Sequence, residues 1–368
     1  MKKRTGLAPL IAIAVILLGL SVGSFFLTPD RAFSANENRY LQLTPKLSWD
    51  TVMSGAFMED MEEYTSDQIV FRDLWTATRS VLQRAEGKED ISGTYLGADG
   101  RYFTKVTDDS FDTKNLRKNA EYIREFFENS GKNCTALIVP SPAGVLRDKL
   151  PKDAPYYDED AAFALLDTLL STSSDSSLLD IRDALSTLSD PYYHTDHHWT
   201  TMGAQAAYLR WAEATGHRAR SYDLTAVTDS FRGTLYSKVL LPDSVYDTVY
   251  YAADITAESV VCDGEDGALY DLGALEQKDK YELFLGGNYG QCVITTGVEN
   301  GKPLLLVKDS FANSFVPFLL GDYETVTMID LRYFRGSMAE LAAESDDILV
   351  LTEITNLAAS GDYFKLMK

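Results

Sequence analysis

The chain has 368 residues, 45% hydrophobic and 24% charged, with a formal net charge of −21. That composition describes a globular protein long enough for one large core or two ordinary ones. A surface this acidic excludes binding along a phosphate backbone, so no nucleic-acid partner is expected.

At the N-terminus Lys2, Lys3 and Arg4 precede an uncharged run from Gly6 to Leu27. About 20 apolar residues cross a bilayer core, and basic residues before the run keep that end in the cytoplasm and send the rest outside. A cleavable signal peptide has a shorter apolar stretch and a small-x-small site; Ala32-Phe-Ser34 is a poor one and lies beyond the run. The reading is an uncleaved signal anchor over 1–27, a single-pass membrane protein with its C-terminal part extracellular. Residues 28–45 read as a linker and 46–368 as the extracellular domain. Without Lys2, Lys3 and Arg4 the exported part carries −24.

Helical stretches are predicted over Thr51–Tyr64 and Phe71–Ala85, then a hairpin through Gly93–Gly97 and Asp99–Phe103. From there helix and strand alternate: helix Lys114–Asn129, strand Thr135–Val139, helix Asp158–Leu170, strand Ser177–Ile181. A helix capped by Thr200 or Thr201 runs to about Thr215. Strand Pro303–Val307, helix Ala312–Leu320, strand Thr325–Ile329, helix Ser337–Ala343 and strand Asp347–Leu351 follow. Short, fully apolar strands between helices imply an α/β fold with a parallel sheet flanked by helices. Residues 218–300, with aromatic and β-branched segments such as Tyr246–Tyr251 and Tyr281–Leu285, read as a β-rich insertion. Three cysteines so widely spread are no disulfide framework. Cys134 sits in an apolar run and reads as buried; nothing in the sequence itself supports a Cys262–Cys292 bridge.

Three of the four histidines, His194, His197 and His198, surround Asp196 and precede Trp199. Histidine changes charge most readily near neutrality, so this cluster marks chemistry. In open α/β sheets reactive residues lie at the carboxyl ends of strands. Lys308-Asp309-Ser310-Phe311 meets that rule, directly after a strand and before a helix. Ser310 there is a candidate nucleophile, with backbone N–H groups nearby to hold an oxyanion. Its alternative role is a helix N-cap. Residues two apart in an extended segment face the same side, so Asp196 can orient His198 as base while His197 points away. Two histidines and a carboxylate also suit a metal, with His194, Asp196 and His198 as the competing ligand set; the favoured reading has no metal.

The string from His194 through Trp199 to Tyr208 resembles the motif that names the DHHW protein family, extracytoplasmic proteins related to periplasmic alginate O-acetyltransferases. Further strings resemble family signatures in the same order: Asn36-Glu-Asn-Arg-Tyr-Leu, Ser66 to Asp73, Val139-Pro-Ser-Pro, Phe231 to Lys238, Phe284-Leu-Gly-Gly-Asn288, Asp309-Ser-Phe and Asp330-Leu-Arg-Tyr-Phe. The resemblance implies an SGNH-hydrolase-like fold with permuted motif order, the Asp-x-His pair preceding the serine. Matched residue by residue, it implies Asp196, His198 and Ser310 as the catalytic residues. Asn288 is a candidate for the oxyanion hole, and Arg332 and Tyr333 are candidates for the pocket lining. Lys308 stands where a glycine often precedes Asp-Ser in SGNH proteins.

The expected function is an extracytoplasmic O-acetyltransferase of a cell-surface or secreted polysaccharide, working through an acetyl-serine. If water is the acceptor the same site is a carbohydrate acetylesterase. A reading of another class is a non-catalytic glycan-binding scaffold of an export complex. The resemblance implies a membrane-bound O-acyltransferase partner that supplies acetyl. No cofactor is expected, since acetyl-coenzyme A is not available outside the cell and no Gly-rich phosphate loop is present.

Overall fold

A computed structural model describes residues 29–34, 36, 39–171 and 176–368, with positions 9, 11–16, 18, 19 and 23 before them. Most of the run read as a signal anchor lies outside the described residues. Among those described, no helix is long and apolar enough to cross a membrane.

The chain forms two compact units, one of residues 1–91 with 237–244, the other of residues 92–236 with 245–368. In the first, a two-stranded ribbon of β1 (Phe33–Ser34) and β2 (Arg39–Tyr40) precedes three helices. These are α1 (Trp49–Ser54), α2 (Ala56–Gln68) and α3 (Arg72–Ala85). The sequence predicts one helix over 51–64; the structure breaks it at Gly55, whose φ of 84° caps α1. Within the segment read as a linker, Arg31, Arg39 and Gln42 are hydrogen-bonded to the end of α2. The buried Asp67 carboxylate accepts from the Arg39 guanidinium and the Gln42 N–H, and Gln68 Nε2 donates to the Arg31 and Gln42 carbonyls. Asn36 also donates to Asp73. Two of the family-like strings therefore hold each other.

The second unit contains an eight-stranded mixed sheet. It opens with the predicted hairpin, β3 (Thr94–Leu96) with β4 (Tyr102–Thr104), and helix α4 (Thr113–Ser130). β5 (Asn133–Val139), α5 (Glu159–Leu170), β6 (Ser176–Leu179) and α6 (Thr201–Thr215) follow. β7 (Thr225–Phe231) and β8 (Asp247–Tyr251) form a separate antiparallel pair. β9 (Ser259–Cys262), β10 (Glu265–Asp266), β11 (Gln291–Thr295), β12 (Pro303–Lys308), β13 (Thr325–Ile329), α7 (Met338–Glu344), β14 (Asp347–Glu353) and α8 (Ile354–Ala359) complete it.

The sheet order is β10-β9-β11-β13-β12-β14-β5-β6. Strands β13, β12, β14, β5 and β6 are parallel, as the helix–strand alternation implies. β11, β9 and β10 add antiparallel pairings at one edge. The sheet is therefore mixed, and the later part of the 218–300 segment extends it. Cys262 and Cys292 sit opposite each other on β9 and β11 and are joined by a disulfide. Cys134 is free and buried.

One core face carries Leu137, Leu306 and Leu349 against α6; the other carries Ile138, Leu305 and Val350 against α4 and α5. This is the two-sided burial a parallel sheet requires. α4 shows why its sequence is helical. Its buried residues Leu116, Ala120, Ile123 and Phe127 recur at three- and four-residue spacing, Asp112 caps its start, and Gly131 in the left-handed region ends it. The result fixes the carboxyl ends of β12 and β14 as rigid edges from which side chains can be presented.

Candidate active site

Ser310 follows β12 directly and begins a short 3-10 helix, Ser310–Ser314. Asp309, not Ser310, caps that turn, accepting from the Phe311 N–H at 3.0 Å. The other Asp309 oxygen accepts from Thr352 Oγ1, the Glu353 N–H and Asn356 Nδ2 at the end of β14. With capping and anchoring done by its neighbour, the Ser310 hydroxyl is left to a different partner.

That partner is His198. Ser310 Oγ and His198 Nε2 are 2.7 Å apart, and His198 Nδ1 is 2.6 Å from Asp196 Oδ1. An ionised carboxylate only accepts, so Nδ1 carries the proton and Nε2 is the acceptor for the serine hydroxyl. Asp196 also accepts the His198 backbone N–H at 3.0 Å on Oδ1, and the Thr234 N–H and Oγ1–H at 2.7 and 3.0 Å on Oδ2. Burial by itself pushes this carboxyl up. The adjacent His197 and His198 and the hydrogen bonds from His198 and Thr234 outweigh that, and hold it well below the usual carboxylate range. Asp196 is thus a buried, fixed negative charge under the imidazole.

The loop that brings these groups together is built from its own polar contacts. Tyr192 and Trp199 bridge across it, and the Tyr193 N–H donates to the His198 carbonyl. Trp199 Nε1 donates to the Phe311 carbonyl and to Ser314 Oγ, both at 2.9 Å. The indole therefore ties the histidine loop to the serine turn. Tyr281 stacks flat on the His198 ring, with centroids 3.8 Å apart and planes at 8°, and its hydroxyl donates to the Ser310 carbonyl.

His197 departs from the sequence reading. It does not face away; its ring lies 3.9 Å from that of His198, and Nδ1 donates to Thr234 Oγ1 at 2.7 Å. The Asp196, His197 and His198 ligand atoms lie close enough to group a cation. Both His198 nitrogens and both Asp196 oxygens, however, already have hydrogen-bond partners. The ligand set considered from sequence is not assembled, because His194 Nδ1 turns to Asp247 at 3.1 Å.

Asn288 is exposed, with its Oδ1 on Lys308 and Asn313. Arg332 forms a forked pair with Asp330, and Tyr333 is 53% exposed beneath its guanidinium. Neither makes a hydrogen bond or ring contact with Ser310 or His198. Arg332 lines a cavity of about 310 Å³ with Lys308, Asp309 and Tyr363. Tyr333 lines a different groove of about 490 Å³ with Asp263 and Gln291. The sequence reading missed Tyr281, Thr234 and Gly233; the last two lie in a family-like string, and Tyr281 had no signal.

Beside the site, burial pushes the Glu353 carboxyl up to about 8, against hydrogen bonds from Thr355 and Asn356. Folded Glu353 keeps its proton where the unfolded chain has released it. Its contribution to stability is whole below about pH 4.3 and is lost as pH rises through about 8. In thermal melts Glu353→Gln, which keeps an oxygen for those N–H groups, should lose less stability than wild type between about pH 5 and about pH 8. Parallel curves would show that Glu353 does not titrate in that window.

The chain is thus an α/β protein with serine, histidine and aspartate hydrogen-bonded in series at the carboxyl end of a mixed sheet. Residues 186–329, the segment carrying Asp196, His198 and Trp199, match the family model described as DHHW protein. A DHHW family protein from Eubacterium siraeum has a similar structure: TM-score 0.62 and 22% identity, over 76% of this chain and 96% of that one. Bacillus cereus PatB1 is similar with TM-score 0.61 and 20% identity, over 73% of this chain and 97% of that one. A second PatB1 structure, with a sulfonyl adduct, gives TM-score 0.60 and 19% identity, over 74% and 99%. No curated protein matches the chain.

Proposed function

We propose that the protein is an extracytoplasmic O-acetyltransferase of the SGNH type that modifies a cell-surface or secreted polysaccharide. The observation that carries this reading is the unbroken Ser310–His198–Asp196 hydrogen-bond series. Ser310 Oγ attacks the carbonyl carbon of an acetyl ester while its proton passes to His198 Nε2. The oxyanion collapses, the donor's oxygen leaves with that proton, and acetyl-Ser310 remains. A sugar hydroxyl then attacks the acetyl carbon, gives its proton to His198, and Ser310 leaves and is reprotonated. Asp196 stabilises the imidazolium in both halves. Water in place of the sugar makes the same site an acetylesterase. In this reading a membrane-bound O-acyltransferase partner supplies the acetyl group.

The reading is tested with the full-length protein and a phenylsulfonyl fluoride. An activated serine is sulfonylated where ordinary serines are not. Mass spectrometry should find the adduct on the peptide holding Ser310, with loss of nitrophenyl acetate hydrolysis. Intact hydrolysis after complete labelling there would overturn it.

The disulfide between Cys262 and Cys292 supports an oxidising compartment, and the run from Gly6 to Leu27 after Lys2, Lys3 and Arg4 supports a signal anchor. Fractionated cells should keep the full-length chain in the membrane, with its C-terminal part cut by external protease. A shortened chain free in the medium would show cleavage instead.

A further inference from the structure

Lys308 closes β12 two residues before Ser310 and is only 6% exposed. A buried ammonium needs partners. Its Nζ donates to Asn288 Oδ1 and to Asn313 Oδ1, each at 2.9 Å, and lies 3.8 Å from Asp330 Oδ2. An ammonium only donates, so the atom each asparagine turns toward it must be the carbonyl oxygen. Chemistry therefore sets both amide orientations.

Asn313 uses its Nδ2 to donate to the Gly287 carbonyl at 3.1 Å and to Asn288 Oδ1 at 3.3 Å. Asn288 Oδ1 thus receives two donors, one from β12 and one from the short helix that begins at Ser310. With its oxygen held on that side, the Asn288 amide nitrogen is turned the other way. The loop before it has an unusual backbone, with φ of 68° at Leu285, 74° at Gly286 and 132° at Gly287. Two glycines allow that path, and a leucine in the left-handed region is strained. Lys308, Asn313 and Asn288 together lock this loop to the turn that presents Ser310.

We propose that Lys308 is a positioning residue for acyl transfer at Ser310: by holding the Asn288 carbonyl oxygen it aims the Asn288 N–H at the oxyanion. The inference deepens the acetyl-transfer reading and rests on it. Burial pulls the Lys308 ammonium down to about 8 while Asp330 holds it up, so it is charged at neutral pH and keeps all three donors.

The test is a double-mutant cycle on full-length protein with nitrophenyl acetate. Removing one oxyanion donor costs about 10²–10³ in kcat. Lys308→Met and Asn288→Ala should each lower kcat by about 10²-fold with KM unchanged. The double variant should be within about threefold of the worse single, because Lys308 acts through Asn288. Asn288→Asp keeps an oxygen for Lys308 but has no N–H, and should be as slow as Asn288→Ala. Losses that multiply in the double variant overturn the proposal, as does a wild-type kcat for Lys308→Met or for Asn288→Asp. If Lys308→Met does not fold, Lys308→Gln takes its place under the same criteria, since its shorter, neutral side chain keeps a polar group at the strand end but not the ammonium that donates to both asparagine oxygens. Ser310→Ala separates the two readings. Residual turnover there ends the acetyl-transfer reading itself; a dead Ser310→Ala with a multiplicative cycle ends only the role of Lys308.

Discussion

Ser310→Ala and His198→Ala should each cut hydrolysis of nitrophenyl acetate by a factor on the order of 10⁶, and the double variant should be no slower than either. The reason lies in the 2.7 Å contact between Ser310 Oγ and His198 Nε2. A serine hydroxyl is a poor nucleophile until its proton has somewhere to go, and an imidazole without the serine has nothing to activate. The two act as one device, so the second loss removes nothing further. The chemistry depends on an acceptor nitrogen, which a metal would occupy, so a chelator should leave turnover unchanged. His197→Ala should be milder, but measurable, because its ring packs against His198 and its Nδ1 holds Thr234, which in turn holds Asp196. Losses that multiply between Ser310→Ala and His198→Ala would mean that the two groups work separately. That would end the acyl-serine mechanism.

The Asp196–His198 pair and Ser310 were legible in the sequence because their signals are local. A strand end before a helix presents Ser310, and a two-residue spacing puts His198 over Asp196. What holds them was not legible. Tyr281 reaches the His198 ring from a segment that reads as part of a β-rich insertion, and nothing within 281–285 says which ring it will cover. The mixed character of the sheet was missed for a related reason. β12 is buried along nearly its whole length and reads as a core strand, whereas β11 alternates buried and half-buried residues. Such alternation fits any antiparallel strand, and its pairing with β13 is decided by contacts far away in sequence. His197 was misplaced because strict alternation was applied to a turn, where the Asp196 carboxylate folds back onto the His198 N–H and both rings end on one side.

Gly233→Ala should lower kcat by at least about 10²-fold, up to the loss from Asp196→Asn, although residue 233 touches no substrate. Asp196→Asn in such a site costs about 10⁴-fold, since an amide neither fixes the useful tautomer nor stabilises the imidazolium. Gly233 is buried against the Asp196 side chain, and a Cβ there would fall inside contact distance of its Cβ, Cγ and Oδ2. The aspartate has little room to yield. Oδ2 is held by the Thr234 N–H and hydroxyl, and Oδ1 by His198. Either the carboxylate or the backbone at 233–234 that holds it must move, and a shift of about 1 Å costs roughly 10²-fold where reacting groups must be aligned. The expected loss is therefore between about 10² and 10⁴ in kcat. Glycine is required here by the close approach. The check is kcat on nitrophenyl acetate beside a thermal melt. A folded Gly233→Ala variant with wild-type kcat would show that the Asp196 carboxylate need not sit where the structure holds it.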